Sequence, residues 1–201
     1  MKTILVFLIA SASYATAYCQ TADDYVHRGV SKFNLQDYRG AMADFTKAIE
    51  LDPNYADAYY NRGTAKHDLQ DYRGAIADLT KAIELNPNYA GAYANRGTVK
   101  CVLQDYRGGI ADYSKAIEFD SNSAYIYFNR GIAKDELQDF KGAMADFTKA
   151  IELDPNNAVA YFYRGALKLL FGQKDSGCLD LSKAGELGHE DAYDMIIERC
   201  N

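Results

Sequence analysis

Residues 56–89 have the sequence ADAYYNRGTAKHDLQDYRGAIADLTKAIELNPNY, and residues 90–123 follow the same order as AGAYANRGTVKCVLQDYRGGIADYSKAIEFDSNS. This unit of 34 residues occurs five times. Each copy has a tyrosine, then Arg-Gly, a lysine, an aspartate and a closing Lys-Ala pair; the tyrosines are Tyr25, Tyr59, Tyr93, Tyr127 and Tyr161. A fixed period of this kind predicts stacked supersecondary units, each burying its apolar face against the next.

Within a unit, the apolar side chains have the spacing of helices rather than strands. In the second unit we expect one helix over residues 57–70 and another over residues 72–85. Asp71 is suited to N-cap the second helix, and Pro87 ends it because proline cannot continue a helix. The predicted fold class is therefore all-α: a right-handed α-solenoid of five helix-turn-helix units, 22–55, 56–89, 90–123, 124–157 and 158–191, with a capping helix at 192–201.

The unit resembles the tetratricopeptide repeat (TPR) through Tyr59, Gly63, Tyr72, Ala75, Leu79, Ala82 and Pro87. It departs from that pattern at Gln70, where the family has glycine between the helices, and at Gly109 and Ser121 in the third unit. The fifth unit is degenerate at its end, as expected of a terminal repeat. The resemblance implies that the first helices line a concave groove for a protein or peptide partner. The sequence has no Gly-rich phosphate loop, His-x-x-x-His pair or Cys-x-x-Cys motif, so we expect no enzymatic activity and no cofactor.

The first residues are typical of a secretory signal peptide. Lys2 precedes the apolar run 4–10, and small residues lead to Ala15-Thr16-Ala17. We expect a signal peptide at 1–17, with cleavage up to residue 20 as the alternative. A lipoprotein anchored through Cys19 is disfavoured by the bulky Tyr18 before it. The apolar run is shorter than the roughly 20 residues of a membrane span. The sequence therefore predicts an exported protein, periplasmic or secreted.

The charge of the chain limits its partners. The net charge is −6, and it becomes −7 if residues 1–17 are removed with Lys2. No basic footprint for nucleic acid is present, nor a polybasic patch for a membrane surface. Because Asp23, Asp57 and Asp68 are expected near the groove, a neutral or basic peptide segment is favoured over an acidic C-terminus.

Charged residues inside the repeat require partners. The helical wheel places Arg62 and Lys66 on the stripe facing the second helix, where Asp78 borders the buried side. Burial of an unpaired charge is costly, so we expect an Arg62–Asp78 pair with Lys66 beside it in every unit. A charged stripe for a ligand is the alternative, but identity in all five units favours a structural role.

Function is expected where the units differ. The predicted groove residues are His27, Asp57, Tyr60, Asn61, Thr64, Asn95, Thr98, Tyr125, Phe128, Asn129, Phe162 and Tyr163. Asn61, Asn95 and Asn129 would stack in neighbouring units, and an amide can both donate to and accept from a peptide backbone. The aromatic members would form an apolar seat near the C-terminal end. The alternative is that asparagine is an ordinary polar surface residue at this place.

Three further hypotheses concern cysteines, metal and self-association. Cys178 and Cys200 lie on helices that should pack together, so we predict a disulfide, with two buried thiols as the alternative. His67 and Cys101, in one column with Asp135, are the candidates for a metal-binding or regulatory module. Because the three residues come from separate repeats, variable groove residues are the favoured interpretation. Self-assembly through an open end of the solenoid remains a further alternative.

Overall fold

The computed structural model describes residues 21–200, so the predicted signal peptide and Cys19 lie outside the described residues. Within this range the chain forms eleven α-helices and no β-strand, which confirms the all-α prediction. The helices are α1 (Ala22–Asn34), α2 (Tyr38–Leu51), α3 (Ala56–Asp68), α4 (Tyr72–Leu85), α5 (Ala90–Val102), α6 (Tyr106–Phe119), α7 (Ala124–Glu136), α8 (Phe140–Leu153), α9 (Ala158–Leu170), α10 (Lys174–Glu186) and α11 (Asp191–Arg199).

The turn inside each unit explains where its two helices end and begin. In the second unit, α3 ends two residues before the expected position because Gln70 has a left-handed backbone, with φ of 63°. The Gln70 and Asp71 N–H groups donate to the carbonyls of His67 and Lys66, both at 2.8 Å, which is a Schellman ending. Asp71 then accepts from the Gly74 N–H at 3.0 Å. The predicted N-cap and the predicted start of α4 are thus confirmed.

The left-handed turn position gives a stability prediction. Gln36, Gln70, Gln104 and Gln138 have φ between 62° and 64°, whereas the fifth unit has Gly172 there, with φ of 72°. A side chain in this conformation costs roughly 1–2 kcal/mol, partly offset by the greater unfolded-state freedom of glycine. We expect Gln104→Gly to raise the free energy of unfolding in urea by up to about 1 kcal/mol. Gly172→Gln is the reciprocal variant, and no loss of stability in it would contradict the explanation.

Small residues let the two helices of a unit approach closely. A Cβ on Gly63 would lie 2.9 Å from the Leu79 side chain and 3.3 Å from the Ala75 carbonyl oxygen. Gly109, which departs from the family pattern, has a local cause: a Cβ there would overlap the Sγ atom of Cys101. Gly177 has the same relation to Leu169, whose side chain would lie 3.0 Å from such a Cβ. In the third and fifth units, a side chain of the first helix thus occupies the space that a Cβ on the second helix would need.

This compensation predicts a strong coupling between two positions. Gly109→Ala should lower the free energy of unfolding by about 1–3 kcal/mol, because the added methyl group overpacks against Cys101. Adding Cys101→Ala should recover most of that loss, and urea unfolding of the two single variants and the double variant measures the coupling. Ala75→Gly, at the equivalent position of the second unit, is the control for the opposite change, from alanine to glycine. Additive effects of Gly109→Ala and Cys101→Ala would contradict this account.

The first helices of the units lie on the inner side of the solenoid. Neighbouring first helices contact one another, in the pairs α1–α3, α3–α5 and α5–α7, in addition to the contact of each with the preceding second helix. No comparable contact joins neighbouring second helices among the described residues. Elements on the inner side of a curved stack are closer together than those on the outer side. The first helices therefore form the concave face.

The two ends of the solenoid are closed in different ways. Asp24 and Ser31 on α1 are exposed, whereas the equivalent positions of the later units are buried. The residues equivalent to Asp24 are Ala58, Ala92, Ile126 and Ala160. Those equivalent to Ser31 are Ala65, Val99, Ala133 and Leu167. Asp24 also completes a capping box with Thr21. At the other end α11 covers α10, with Ala192 buried. The structure pairs Cys178 with Cys200, whose Cα atoms are 5.9 Å apart, as predicted.

Candidate functional site

A buried ion pair in every unit confirms the expected role of the repeated charges. Arg62 donates from Nε and Nη2 to the two carboxylate oxygens of Asp78, at 2.8 and 2.7 Å, and Lys66 Nζ lies 2.8 Å from Asp78 Oδ2. The Asp78 side chain is 7% exposed. The equivalent pairs are Arg28–Asp44, Arg96–Asp112, Arg130–Asp146 and Arg164–Asp180. In the first of these, the Arg28 guanidinium holds the pKa of Asp44 below its ordinary value.

In four of the five pairs, the arginine also joins neighbouring units. Arg96 donates from Nη1 to Thr80 of the preceding unit at 3.0 Å, and its guanidinium lies 5.6 Å from the centre of the Tyr93 ring. The same bond to the preceding unit is made by Arg62 to Thr46, Arg130 to Ser114 and Arg164 to Thr148. In Arg62, Arg96, Arg130 and Arg164, the Nε, Nη1 and Nη2 atoms therefore all donate hydrogen bonds to other residues of the protein. This bonding within the protein favours the structural role expected from the sequence over a charged stripe for a ligand.

A cavity opens on the concave face at the second and third units. Its volume is about 200 Å³, and it is lined by Thr64 and His67 of α3, Leu79 of α4, Asn95 and Thr98 of α5, and Tyr125 of α7. We call it the central cavity. Leu79 is fully buried and forms an apolar part of its lining. Tyr125 extends from the next unit, and its hydroxyl lies 3.3 Å from Thr98 Oγ1. Four of the predicted groove residues thus meet around one cavity.

The hydrogen bonds around Asn95 fix the orientation of its amide. The Thr64 hydroxyl donates its single proton to the Tyr60 carbonyl oxygen, at 3.0 Å, so Thr64 Oγ1 can only accept from elsewhere. The Asn95 atom 3.0 Å from Thr64 Oγ1 must therefore be the NH₂ nitrogen, which also lies 3.3 Å from the Tyr60 hydroxyl. The amide oxygen of Asn95 is thereby left as an acceptor, with no hydrogen-bond partner among the described residues.

His67 presents a second acceptor to the central cavity. Its Nδ1 atom lies 3.0 Å from the Asp68 carboxylate, which can only accept, so Nδ1 carries a proton. In the neutral ring the other nitrogen, Nε2, is then an acceptor. The sequence favoured variable groove residues over a metal site for the column of His67, Cys101 and Asp135, but it did not indicate that His67 would line a cavity. His67 lies in the cavity because three units pack together, and no local sequence motif predicts that packing.

The remaining polar groove residues are held by their own unit or a neighbour. The Asn61 and Asn129 amides donate to the backbone carbonyls of Asp57 and Tyr125, each at 2.8 Å. His27 lies 3.3 Å from Asp23, whose carboxylate also accepts from the Tyr55 hydroxyl and raises the pKa of Tyr55 to about 12. The three asparagines therefore do not form the uniform ladder that was expected. The Asn95 amide bonds to a neighbouring unit, whereas the Asn61 and Asn129 amides bond within their own helices.

The predicted aromatic seat is packed against other rings. Phe128 lies against Phe147 and Tyr163, with ring centres 5.8 and 6.0 Å apart, and these residues join a core cluster. Phe162 stacks on His189, with ring centres 4.1 Å apart. Only Tyr125 of the aromatic candidates beyond the second unit is more than half exposed. These rings therefore contribute first to the packing of the fourth and fifth units.

A second cavity lies at the C-terminal end of the concave face. Its volume is about 500 Å³, and its lining residues are Ala166, Leu169 and Leu170 of α9, Gly172, Lys174 of α10, and Met195, Glu198 and Arg199 of α11. Ala166 and Leu169 occupy the places that Thr64 and His67 hold in the second unit. We call it the C-terminal cavity. It is larger and more apolar than the central cavity, and charged side chains stand at one side.

Models of one repeat family match the chain. Models described as tetratricopeptide repeat match residues 56–89, 124–157 and 147–178, and a model described as TPR repeat matches residues 29–70. The chain belongs to the tetratricopeptide repeat family. The matched ranges leave out residues 90–123, the unit with Gly109 and Ser121, yet α5 and α6 form the same pair of helices there. No curated protein matches the sequence.

Solved structures of TPR proteins have the same fold. YrrB, described as a TPR protein with an unusual peptide-binding site, is 21% identical with a TM-score of 0.74, over 90% of this chain and 93% of its own. PilF of Pseudomonas aeruginosa is 17% identical with a TM-score of 0.80, over 88% of this chain and 80% of its own. MamA from Desulfovibrio magneticus RS-1 is 20% identical with a TM-score of 0.75, over 83% and 94%.

The described part of this TPR chain offers no support for a metal site. Residues 21–200 contain no group of three or more His, Cys, Asp or Glu side chains placed to hold an ion. Cys101 is a free cysteine, and burial raises the pKa of its thiol. Burial also raises the pKa of Asp135. Over the same residues, no helix has the length and apolar character needed to cross a bilayer. No matched family model describes a catalytic domain.

Proposed function

We propose that this TPR protein is a scaffold or adaptor that binds an extended segment of a partner protein along its concave face and catalyses no reaction. The observation that carries the proposal is the central cavity, where side chains of three successive units meet and leave hydrogen-bonding groups without partners among residues 21–200. A concave site with a few convergent polar groups is the usual form of a ligand site. The description of YrrB as peptide-binding supports the same use of the fold.

The two cavities together define the length of the bound segment. The central cavity lies at the second and third units and the C-terminal cavity at the fifth unit, two to three units further on. At about 10 Å between neighbouring first helices, the separation is roughly 20–30 Å. An extended peptide covers this distance with about six to nine residues. The larger C-terminal cavity suits an apolar side chain, and the central cavity suits a polar one.

The closed ends favour the concave face over stacking as the binding surface. Self-assembly through the N-terminal end would bury Asp24 and Ser31, and these polar side chains would not stabilise an apolar interface. The C-terminal end is covered by α11 and its disulfide. We also propose that residues 1–17 direct export, with a periplasmic or secreted mature protein. Sequencing of the N-terminus of the protein recovered from its own cells tests this, and an intact residue 1 would reject cleavage.

Selection from a random peptide library tests the binding proposal. Peptides enriched on the protein should bind it measurably in fluorescence anisotropy. Thr98→Trp places a large ring in the central cavity and should weaken binding at least tenfold, about 1.4 kcal/mol. Ala111→Trp puts the same ring on an exposed position of the second helix α6 and should leave binding unchanged.

The control also separates the possible failures. Thermal unfolding first shows that both variants are folded. Equal binding by folded Thr98→Trp would exclude the central cavity as the binding site. Failure of any peptide to be enriched on the native protein would reject peptide binding by the concave face altogether.

A further inference from the structure

We propose that the central cavity binds the ammonium group of a lysine side chain in the partner segment. This inference rests on the proposed function and names the residue that the cavity selects. The groups around the cavity that donate hydrogen bonds and those that accept them, and not the cavity volume alone, indicate this ligand.

The free groups of the central cavity are acceptors. The Asn95 amide must direct its NH₂ group to Thr64 and Tyr60, because the Thr64 proton is used by the Tyr60 carbonyl oxygen. Asn95 Oδ1 is therefore the atom left for a ligand. His67 must direct its protonated Nδ1 to Asp68, so that Nε2 is left as an acceptor. A ligand that satisfies both must donate, and an ammonium group has three donors and no acceptor.

The charge around the cavity favours a cation over a neutral donor. Asp68 adjoins His67 at 3.0 Å, and no lysine or arginine is among the residues that line the cavity. The protein as a whole has a net charge of −6. The cationic groups nearest along the first helices, Arg62, Lys66, Arg96 and Lys100, are each bound to an aspartate of their own unit. A positive ligand therefore meets a field that no neighbouring free cation opposes.

The lining distinguishes lysine from arginine. A guanidinium is planar and binds most strongly to a carboxylate that accepts two parallel hydrogen bonds. The cavity lining contains no carboxylate, and its acceptors are separate amide, imidazole and hydroxyl groups. An ammonium is a compact point charge that bonds to separate acceptors without a required plane. The aliphatic stem of lysine can pack against Leu79 and the Tyr125 ring, and a volume of about 200 Å³ accommodates one such side chain.

The test uses N-acetyl-lysine N-methylamide as the probe, so that it does not depend on a selected peptide. Titration into the ¹⁵N-labelled protein should shift the Asn95 side-chain amide and Thr98 signals in a saturable way. The norleucine derivative keeps the stem and lacks the ammonium, and the Nε-acetyl-lysine derivative keeps a donor and lacks the charge. We expect both to bind at least tenfold more weakly, and the arginine derivative to bind more weakly than lysine.

Variants locate the site and complete the test. Asn95→Leu and His67→Leu each remove one acceptor and should each reduce lysine binding about tenfold, while Asn61→Leu, whose amide bonds to its own helix, should not change it. Equal binding of norleucine, of Nε-acetyl-lysine or of arginine would overturn the assignment, as would absence of a saturable shift. Selected peptides that bind without lysine would overturn it too while leaving the proposed function intact.

Discussion

Asp112→Ala in the third unit should lower the free energy of unfolding by about 3–5 kcal/mol, because it leaves two half-buried cations without their anion. Arg96 and Lys100 both bond to this carboxylate, at 2.7 and 2.8 Å, and their side chains are only 16% and 23% exposed. Arg96 also loses the partner that holds it in place to bond Thr80 of the preceding unit. Urea unfolding followed by circular dichroism measures the loss.

An exposed acid on the same helix gives the matched control. Glu118 pairs with Lys115 at 2.7 Å, but both side chains are more than half exposed. Glu118→Ala should therefore cost less than about 1 kcal/mol. If Asp112→Ala costs no more than Glu118→Ala, the buried pair does not stabilise the scaffold and the alternative of a charged stripe for a ligand returns.

Loss of the disulfide should release the C-terminal helix before the rest of the solenoid unfolds. The bridge joins residues 22 apart in sequence. Closing a loop of this length is worth about 3 kcal/mol in the chain-entropy model. α11 packs mainly on α10, through Ala192 and the Tyr193 ring over Gly185. In the Cys178→Ser/Cys200→Ser variant we expect amide hydrogen exchange in α11 to accelerate by about two orders of magnitude.

Another cysteine supplies the control for that experiment. Cys101 is free, so Cys101→Ser should leave exchange in α11 unchanged. Exchange in α1 to α6 should be the same in the native protein and in the double serine variant, because repeats contact only their neighbours. Unchanged α11 exchange in the double serine variant would show that packing alone holds the cap.

The sequence predicted the features that repeat, because each of them depends on residues within one unit. The period determined the helix pairs, Asp71 determined the start of α4, and the Arg62–Asp78 pair followed from burial. The end of α3 was misplaced by two residues, since a glutamine at a left-handed turn carries no strong sequence signal. The polar residues at places buried in later units, Asp24 and Ser31, were visible in the sequence and mark the first unit as an end.

The central cavity could not be predicted in the same way. It requires side chains from α3, α4, α5 and α7. Which of its groups donate and which accept hydrogen bonds depends on the positions of individual protons. The groove residues were chosen by column, which treated Asn61, Asn95 and Asn129 as equivalent. Only the contacts of Thr64 with Tyr60 and Asn95 distinguish the middle one. That these residues bind a partner, and that residues 1–17 direct export, remain predictions.

The contrast between the two closed ends has a consequence for how such a chain can change in length. A new unit joined before α1 would have to bury Asp24 and Ser31, and one joined after α10 would displace the bridged α11. A unit copied between two interior units meets neither obstacle, because its arginine finds a threonine or serine in the unit before it, as Arg96 finds Thr80. We therefore expect such a solenoid to lengthen in evolution by internal duplication, with its first and last units kept as fixed boundaries.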